Sequence, residues 1–164
     1  MNASSQKKTI LIGIGNDARG DDALGWLFAD RFAENTALEV TCRYQLQIED
    51  AELVSRYDAV VFVDAGLQEM DNGFNFHRCE PAAAVHFSTH KIDPATILWL
   101  AKTVYQSPVS GYVLAIQGQH WGLNFGLSAF AGRNFDRALS FFCRDILPAL
   151  ATGLDKPLVH ADQS

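Results

Sequence analysis

The chain has 164 residues, enough for one domain with a buried core and too few for two. Its 48% hydrophobic and 20% charged residues indicate a globular protein and exclude a disordered or fibrous one. The formal net charge of -6 excludes the basic surface of a nucleic-acid-binding protein and favours a basic or apolar partner.

No segment has the pattern of a signal peptide or membrane span, so we expect a cytoplasmic protein with no membrane association. The cysteines lack the paired spacings of zinc or redox motifs, so we expect buried thiols at Cys42, Cys79 and Cys143.

Apolar runs and helical periodicity alternate along the chain. Strands are predicted at Thr9–Ile14, Leu38–Leu46, Ala59–Val63 and Tyr112–Ile116. Helices are predicted at Asp22–Glu34, Glu49–Arg56, Asp93–Tyr105 and Arg133–Ala151, the third with Asp93 as its cap and Pro94 in its first turn. This alternation favours a three-layer αβα fold with a mostly parallel sheet. Asn72–Arg78 indicates a shorter, half-exposed strand at an edge or running antiparallel.

We interpret residues 1–164 as a single domain whose core spans about 9–150. The polar N-terminal residues and the tail from about residue 152 are expected to be flexible. The long segment Gly118–Gly132 lacks a clear period and is predicted to be a structured loop after the Tyr112–Ile116 strand, where loops of this length are usually functional. Within it, Trp121 and Phe125 have two open interpretations, as substrate contacts or as core residues.

A glycine-rich turn follows the first predicted strand, from Gly13 to Gly25. It resembles a nucleotide-binding loop in its glycines, but it carries Asp17, Asp21 and Asp22 where a phosphate would need free amides and a lysine. The turn therefore indicates a cation rather than a nucleotide.

Three polar features are expected at the carboxyl ends of the strands. Asp21-Asp22 and Asp64 follow predicted strands, and Ser88-Thr89-His90 precedes a predicted helix. If the first and third strands are neighbours, Asp22 and Asp64 approach each other. Two converging carboxylates require a proton, a metal or a basic partner, because their charges repel. His90 would complete a set of two carboxylates and one imidazole, which suits zinc, nickel or iron without selecting one.

Each of these residues also has a purely structural interpretation. Asp21 or Asp22 can cap the following helix, Asp64 can accept hydrogen bonds from turn amides, and His90 can be a surface residue. The familiar hydrolase signatures, including His-Glu-x-x-His and Gly-x-Ser-x-Gly, do not occur. Residue chemistry alone therefore leaves the reaction open.

The order of the motifs resembles that of the hydrogenase maturation proteases, which trim the large subunit of nickel-iron hydrogenases. The resemblance is carried by Gly13-x-Gly15-Asn16-x-x-x-Gly20-Asp21-Asp22-x-x-Gly25, by Val63-Asp64-Ala65 and by Ser88-Thr89-His90-x-x-x-Pro94. It extends over roughly residues 9 to 150. One departure is Ala23, which stands where the family commonly has glycine.

The resemblance implies a five-stranded twisted sheet between helices and an endopeptidase that removes a short C-terminal extension from the hydrogenase large-subunit precursor. It also implies that Asp22, Asp64 and His90 are the catalytic and nickel-contacting residues. Asp21 is an alternative to Asp22, but we expect Asp21 to cap and shape the loop. The nickel would be carried by the precursor and not permanently bound by the enzyme. We expect a monomer when the enzyme is free.

Two other functions remain open from the sequence. The same pocket in a peptidase or amidase would hold a resident zinc ion, and a non-catalytic assembly chaperone would bind the metallated precursor without cutting it. The hydrogenase that is served and the position of the cleaved bond are not encoded in a readable motif.

Overall fold

The computed structural model describes residues 6–83 and 91–154 of the chain. Its sheet has the strand order β2-β1-β3-β5-β4. The strands are β1 Thr9–Ile14, β2 Leu38–Arg43, β3 Ala59–Gly66, β4 Phe74–Cys79 and β5 Ser110–Gln117. Four strands run parallel, whereas β4 pairs antiparallel with β5 at an edge. The mostly parallel five-stranded sheet is thus confirmed, and the strand predicted near residues 72–78 is both antiparallel and at an edge.

Helices connect the strands and cover both faces of the sheet. They are α1 Leu24–Asp30, α2 Asp50–Ser55, α3 Pro94–Val104, α4 Ala129–Phe141 and α5 Leu147–Leu150. Short 3₁₀ turns occupy Gly20–Ala23 and Asp71–Gly73, and a π-helical stretch, Phe142–Ile146, joins α4 to α5. In the part of the chain that the structure describes, no helix has both the length and the apolar character needed to cross a membrane.

The hydrophobic core lies in two layers, one on each face of the sheet. Successive side chains of a strand point to opposite faces, so Leu11 and Val61 pack with α1 and α4, whereas Ile12 and Phe62 pack with α2 and α3. All six residues of β1 are buried, as expected for an interior parallel strand. This arrangement confirms the predicted three-layer αβα fold.

Several element boundaries differ from those predicted. Strand β2 ends at Arg43, before the predicted residue 46. The helix predicted from residue 22 becomes a 3₁₀ turn followed by α1, because the amides of Gly20 and Asp21 bind the loop after β5. Helix α4 begins four residues earlier than predicted, since Ser128 caps it by accepting a hydrogen bond from the amide of Ala131 at 3.1 Å.

The predicted start of α3 is confirmed. The carboxylate of Asp93 accepts a hydrogen bond from the amide of Thr96 at 2.8 Å, and Pro94 occupies the first turn. At the C-terminal side, Leu154 is buried and its carbonyl accepts a hydrogen bond from the hydroxyl of Tyr112 at 3.2 Å, so the packed core extends past residue 150. The expected flexible ends at residues 1–5 and 155–164 lie outside the described residues.

The expectation of buried thiols is not met. Cys42 and Cys79 are half-buried, and Cys143 is exposed. Cys143 lies in the π-helical stretch, where Phe142 and Ile146 take the positions that face the core. A cysteine between them is therefore turned toward solvent.

Candidate active site

The strand order brings two acidic segments to the same edge of the sheet. Strands β1 and β3 are direct neighbours with Gly13 opposite Val63, so the turn after β1 lies beside Asp64 near the end of β3. The expected adjacency of the first and third strands is thereby confirmed. Polar loops meet at the carboxyl ends of these strands, as in other open α/β sheets.

Glycines allow the start of α1 to pack directly onto the ends of these strands. A β-carbon at Gly25 would overlap the carbonyl oxygens of Ile14 and Val63, and one at Gly13 would overlap the carbonyl oxygen of Gly25. Only residues without a side chain permit this approach. The close packing holds the turn that carries Asp22 against the end of β3.

Asp64 is a half-buried carboxylate with few hydrogen bonds. Its Oδ1 accepts the amide of Ala65 at 2.8 Å, and no other described residue donates to it. Burial and, to a smaller extent, the negative charge of Asp22 raise its pKa to about 6, against the opposing effects of the Ala65 amide and Lys91. The structure therefore brings Asp22 and Asp64 close enough to repel.

Asp22 presents its carboxylate without a described protein donor. Its backbone carbonyl accepts the amide of Asn16 at 3.0 Å, which folds the turn back on itself, whereas its half-buried side chain receives no hydrogen bond from residues 6–83 or 91–154. The capping interpretation is thus not supported for Asp22. Asp22 and Asp64 together offer oxygen atoms that a cation or a basic group can occupy.

Asp21, the neighbouring acid, is bound in a different way. Its side chain is fully buried, and both oxygens accept hydrogen bonds of 2.7 to 3.0 Å from the amides of Gln119, His120 and Ser128 and from the Ser128 hydroxyl. Burial by itself would raise the pKa of Asp21, but these hydrogen bonds lower it below its ordinary value. Asp21 shapes the loop as expected, although the amides that it binds belong to the loop after β5 and to the cap of α4.

Ser128 is a residue of the site that the sequence did not point to. It is the N-cap of α4 and also donates to Asp21, so it joins two segments that meet at the site. A serine just before an amphipathic helix is an ordinary capping signal, and it was obscured by the expectation that the loop continues to Gly132.

The third proposed residue, His90, and its neighbours Ser88 and Thr89 lie outside the described residues. Lys91, the first residue described after them, is near enough to Asp64 for its positive charge to lower the pKa of that carboxyl group. Among the described residues, no group of three or more His, Cys, Asp or Glu side chains is arranged to hold a metal ion. The assignment of Asp22, Asp64 and His90 as a metal-binding set stays a prediction.

Exposed apolar side chains surround this edge of the sheet. Leu67 follows β3, and Leu123 and Phe125 project from the loop after β5, with 77%, 88% and 82% of their surfaces exposed. The loop is anchored beside the acids, since the amide of Gly20 donates to the carbonyl of Asn124 at 2.7 Å. Phe125 is therefore not a core residue, whereas Trp121 is half-buried.

Comparison with solved structures relates this fold to a defined group of proteins. The chain is similar to the [NiFe] hydrogenase maturation protease HycI from Thermococcus kodakarensis, with 23% identity, a TM-score of 0.64, and coverage of 92% of this chain and 96% of that one. It is also similar to the hydrogenase maturating endopeptidase HybD from E. coli, with 15% identity, a TM-score of 0.63, and coverage of 81% and 88%.

A third similar structure is the hydrogenase 2 maturation peptidase from a Thaumarchaeota archaeon, with 16% identity, a TM-score of 0.62, and coverage of 90% of this chain and all of that one. No protein-family model matches the chain, and no curated protein sequence matches it. The three-layer fold is that of the hydrogenase maturation proteases over nearly the whole length of these chains. The resemblance noted in the sequence is thus matched by the fold.

Proposed function

We propose that this protein is an endopeptidase that removes the C-terminal extension of a nickel-iron hydrogenase large-subunit precursor after nickel insertion. The observation that carries the proposal is the convergence of Asp22 and Asp64, two carboxylates with one described hydrogen-bond donor between them. The fold shared with hydrogenase maturation proteases supports the same conclusion. The order of the sequence motifs supports it independently.

The nickel ion belongs to the substrate in this proposal. Asp22 and Asp64 would contact it from the enzyme side, and His90 would supply a third contact because it precedes Lys91, whose charge acts on Asp64. Carboxylate oxygens and one imidazole bind nickel less tightly than thiolates do. Such a set recognises an ion already held by the precursor without extracting it.

The two acids would also position the bond to be cut. Contact with the bound ion fixes the precursor, so the scissile peptide lies beside Asp64. A carboxylate beside the scissile peptide can serve as a general base for an attacking water. Asp64 would accept a proton from the attacking water, the water oxygen would bond to the carbonyl carbon, and the proton would pass to the amine as the C–N bond breaks.

The test is a processing assay followed by mass spectrometry. Nickel-loaded and nickel-free precursors are incubated with the wild-type protein and with Asp22→Ala, Asp64→Ala and His90→Ala. We expect the extension to be lost only from the nickel-loaded precursor with the wild-type protein, while the variants keep their circular dichroism spectra. Asp136→Ala is a matched control on exposed α4 surface, and it should process normally. Full cleavage by all three site variants would refute the proposal.

The same assay separates the other two functions. Stoichiometric zinc in the purified protein, required for activity, would identify a peptidase or amidase with a resident metal. Binding of the metallated precursor without any cleavage would identify an assembly chaperone. The proposal includes the cytoplasm as the compartment and a monomeric free enzyme, which fractionation and size-exclusion chromatography test.

A further inference from the structure

A groove of about 840 Å³ runs between helix α1 and the outer strand β2. Trp26 and Leu27 of α1 form one wall, and Val40 and Cys42 of β2 form the other. The Trp26 ring is fixed in place, because its indole N–H donates to the carbonyl of Arg43 at 2.9 Å and its ring packs on Tyr44 with centroids 4.8 Å apart. The Trp26 wall of the groove is therefore preformed, and it gives the otherwise polar groove one apolar side.

The outer edge of β2 offers backbone groups to this groove. The carbonyl of Arg43 accepts a hydrogen bond from the amide of Gly15, just after β1. Alternate residues of a strand direct their backbone groups to opposite sides, so those of Glu39, Thr41 and Arg43 face β1. Val40 and Cys42 direct theirs outward, and no other described strand pairs with them. The carbonyl of Cys42 already accepts a hydrogen bond from the Arg43 guanidinium at 2.9 Å. The N–H and C=O groups of Val40 face outward, and no described strand pairs with them.

The groove is acidic along its length. Asp17, Asp30 and Glu39 line it, and none of the described residues that line it is a lysine or an arginine. Burial raises the pKa of Cys42, and the charges of Asp30 and Asp17 raise it further. The charge of Arg43 at the end of β2 opposes them at Cys42, although its guanidinium also forms a salt bridge of 2.9 Å with Asp50.

One end of the groove reaches the turn after β1, the turn that also carries Asp22. Asp17 lies in the turn that leads to Asp22, and this turn is closed by the hydrogen bond from the amide of Asn16 to the carbonyl of Asp22 at 3.0 Å. The Asn16 side chain also accepts the amide of Ala18 at 2.9 Å. An extended peptide in the groove would thus contact the hydrogen-bonded turn that carries Asp22.

We propose that this groove binds an extended segment of the precursor that pairs with the outer edge of β2 and carries basic and apolar side chains. The inference rests on the proposed function, and it adds a second contact region away from the nickel. Strand addition supplies backbone hydrogen bonds, the Trp26 wall supplies apolar contact, and the three acids select Lys or Arg over acidic residues. This surface is a specificity site for the precursor.

The first test reverses the charge of the groove. The double variant Asp30→Lys and Glu39→Lys is compared with Asp136→Lys, which changes an exposed acid on α4. We expect the KM for the nickel-loaded precursor to rise about fivefold to tenfold in the double variant with kcat unchanged, because steering and rim charges act on binding. A KM within twofold of the control would overturn the proposal.

The second test reports on the edge of β2 directly. Cys42 lines the groove and Cys143 is exposed elsewhere, so one molecule contains both the probe and its control. Alkylation of each thiol of the wild-type protein at pH 8.5 is followed by mass spectrometry with and without saturating nickel-free precursor, which is expected to occupy the groove without being cut. We expect the precursor to slow modification of Cys42 at least about fivefold and to leave that of Cys143 unchanged. Equal rates at Cys42 with and without the precursor would contradict the proposal.

The two proposals fail in different ways. If the wild-type protein does not process the precursor, the proposed function is wrong, and the groove loses the occupant assigned to it. If the wild-type protein processes the precursor and the double variant matches the Asp136→Lys control, only the groove assignment is wrong. Val40→Pro adds a third readout, because it removes an outward amide without breaking the pairing with β1. It should raise KM while retaining cooperative thermal unfolding.

Discussion

Replacing Asp64 with asparagine should make the protein more stable while abolishing its activity. Asparagine has nearly the same shape and keeps an oxygen that can accept the amide of Ala65. It removes the negative charge that burial and Asp22 oppose. A stabilising change at a catalytic position is the expected behaviour of a site organised for function at a cost in stability.

The size of the effect follows from the pKa of Asp64. Its rise from 3.8 to about 6 corresponds to about 3 kcal/mol of unfavourable free energy in the folded state at neutral pH. The amide of asparagine must also be desolvated, so the net gain in the free energy of unfolding should be roughly 1 to 2 kcal/mol. In a domain of this size, that gain raises Tm by about 2 to 8 °C.

The gain must depend on pH with a definite sign. The folded-state pKa of Asp64 is raised, so the penalty is absent well below pH 3.8, where both states are protonated, and complete well above pH 6, where both are ionised. The penalty of about 3 kcal/mol at pH 7.5 falls to about 1 kcal/mol at pH 4.5, so the stabilisation by Asp64→Asn should decrease by about 2 kcal/mol and be absent at pH 4.5. Urea unfolding followed by circular dichroism at both pH values measures it, with Asp136→Asn as the control. An equal gain at the two pH values, or none at pH 7.5, would refute the reasoning.

Three further outcomes are expected. Asp21→Ala removes a buried carboxylate that accepts four hydrogen bonds from the loop after β5. Urea unfolding should show that the free energy of unfolding decreases by roughly 2 to 4 kcal/mol. A decrease below about 1 kcal/mol would contradict this role. Gly25→Ala places a β-carbon against two strand carbonyls, so the Tm should fall by at least about 5 °C. An unchanged Tm would show that the packing relaxes and that glycine is not required there. The double variant Leu123→Ser and Phe125→Ser should keep its Tm but raise KM for the precursor roughly tenfold. Val104→Ser, which alters an exposed apolar residue on α3, should leave KM unchanged. Equal KM values for the two would exclude the loop as a docking surface.

The layered fold was predictable because its signals are local. Interior parallel strands are buried on both faces and appear as short apolar runs, as at Thr9–Ile14. The helices between them are distinguished by apolar residues that recur every three to four positions. The cap at Asp93 needs only the next three residues, and it was confirmed. The beginning of α4 was missed because Ser128 serves two partners, and one of them is far away in the sequence.

The sequence by itself determined the sheet, the layers and the place where acids gather, since apolar periodicity and strand ends are properties of neighbouring residues. Only the tertiary structure decided which acid of the pair Asp21 and Asp22 is bound by the protein and which is left available. The donors to Asp21 lie 98 to 107 residues further along the chain, so no local pattern distinguishes two adjacent aspartates. The acidic groove beside β2 has the same origin, because its walls come from a helix and a strand that meet only when the sheet forms.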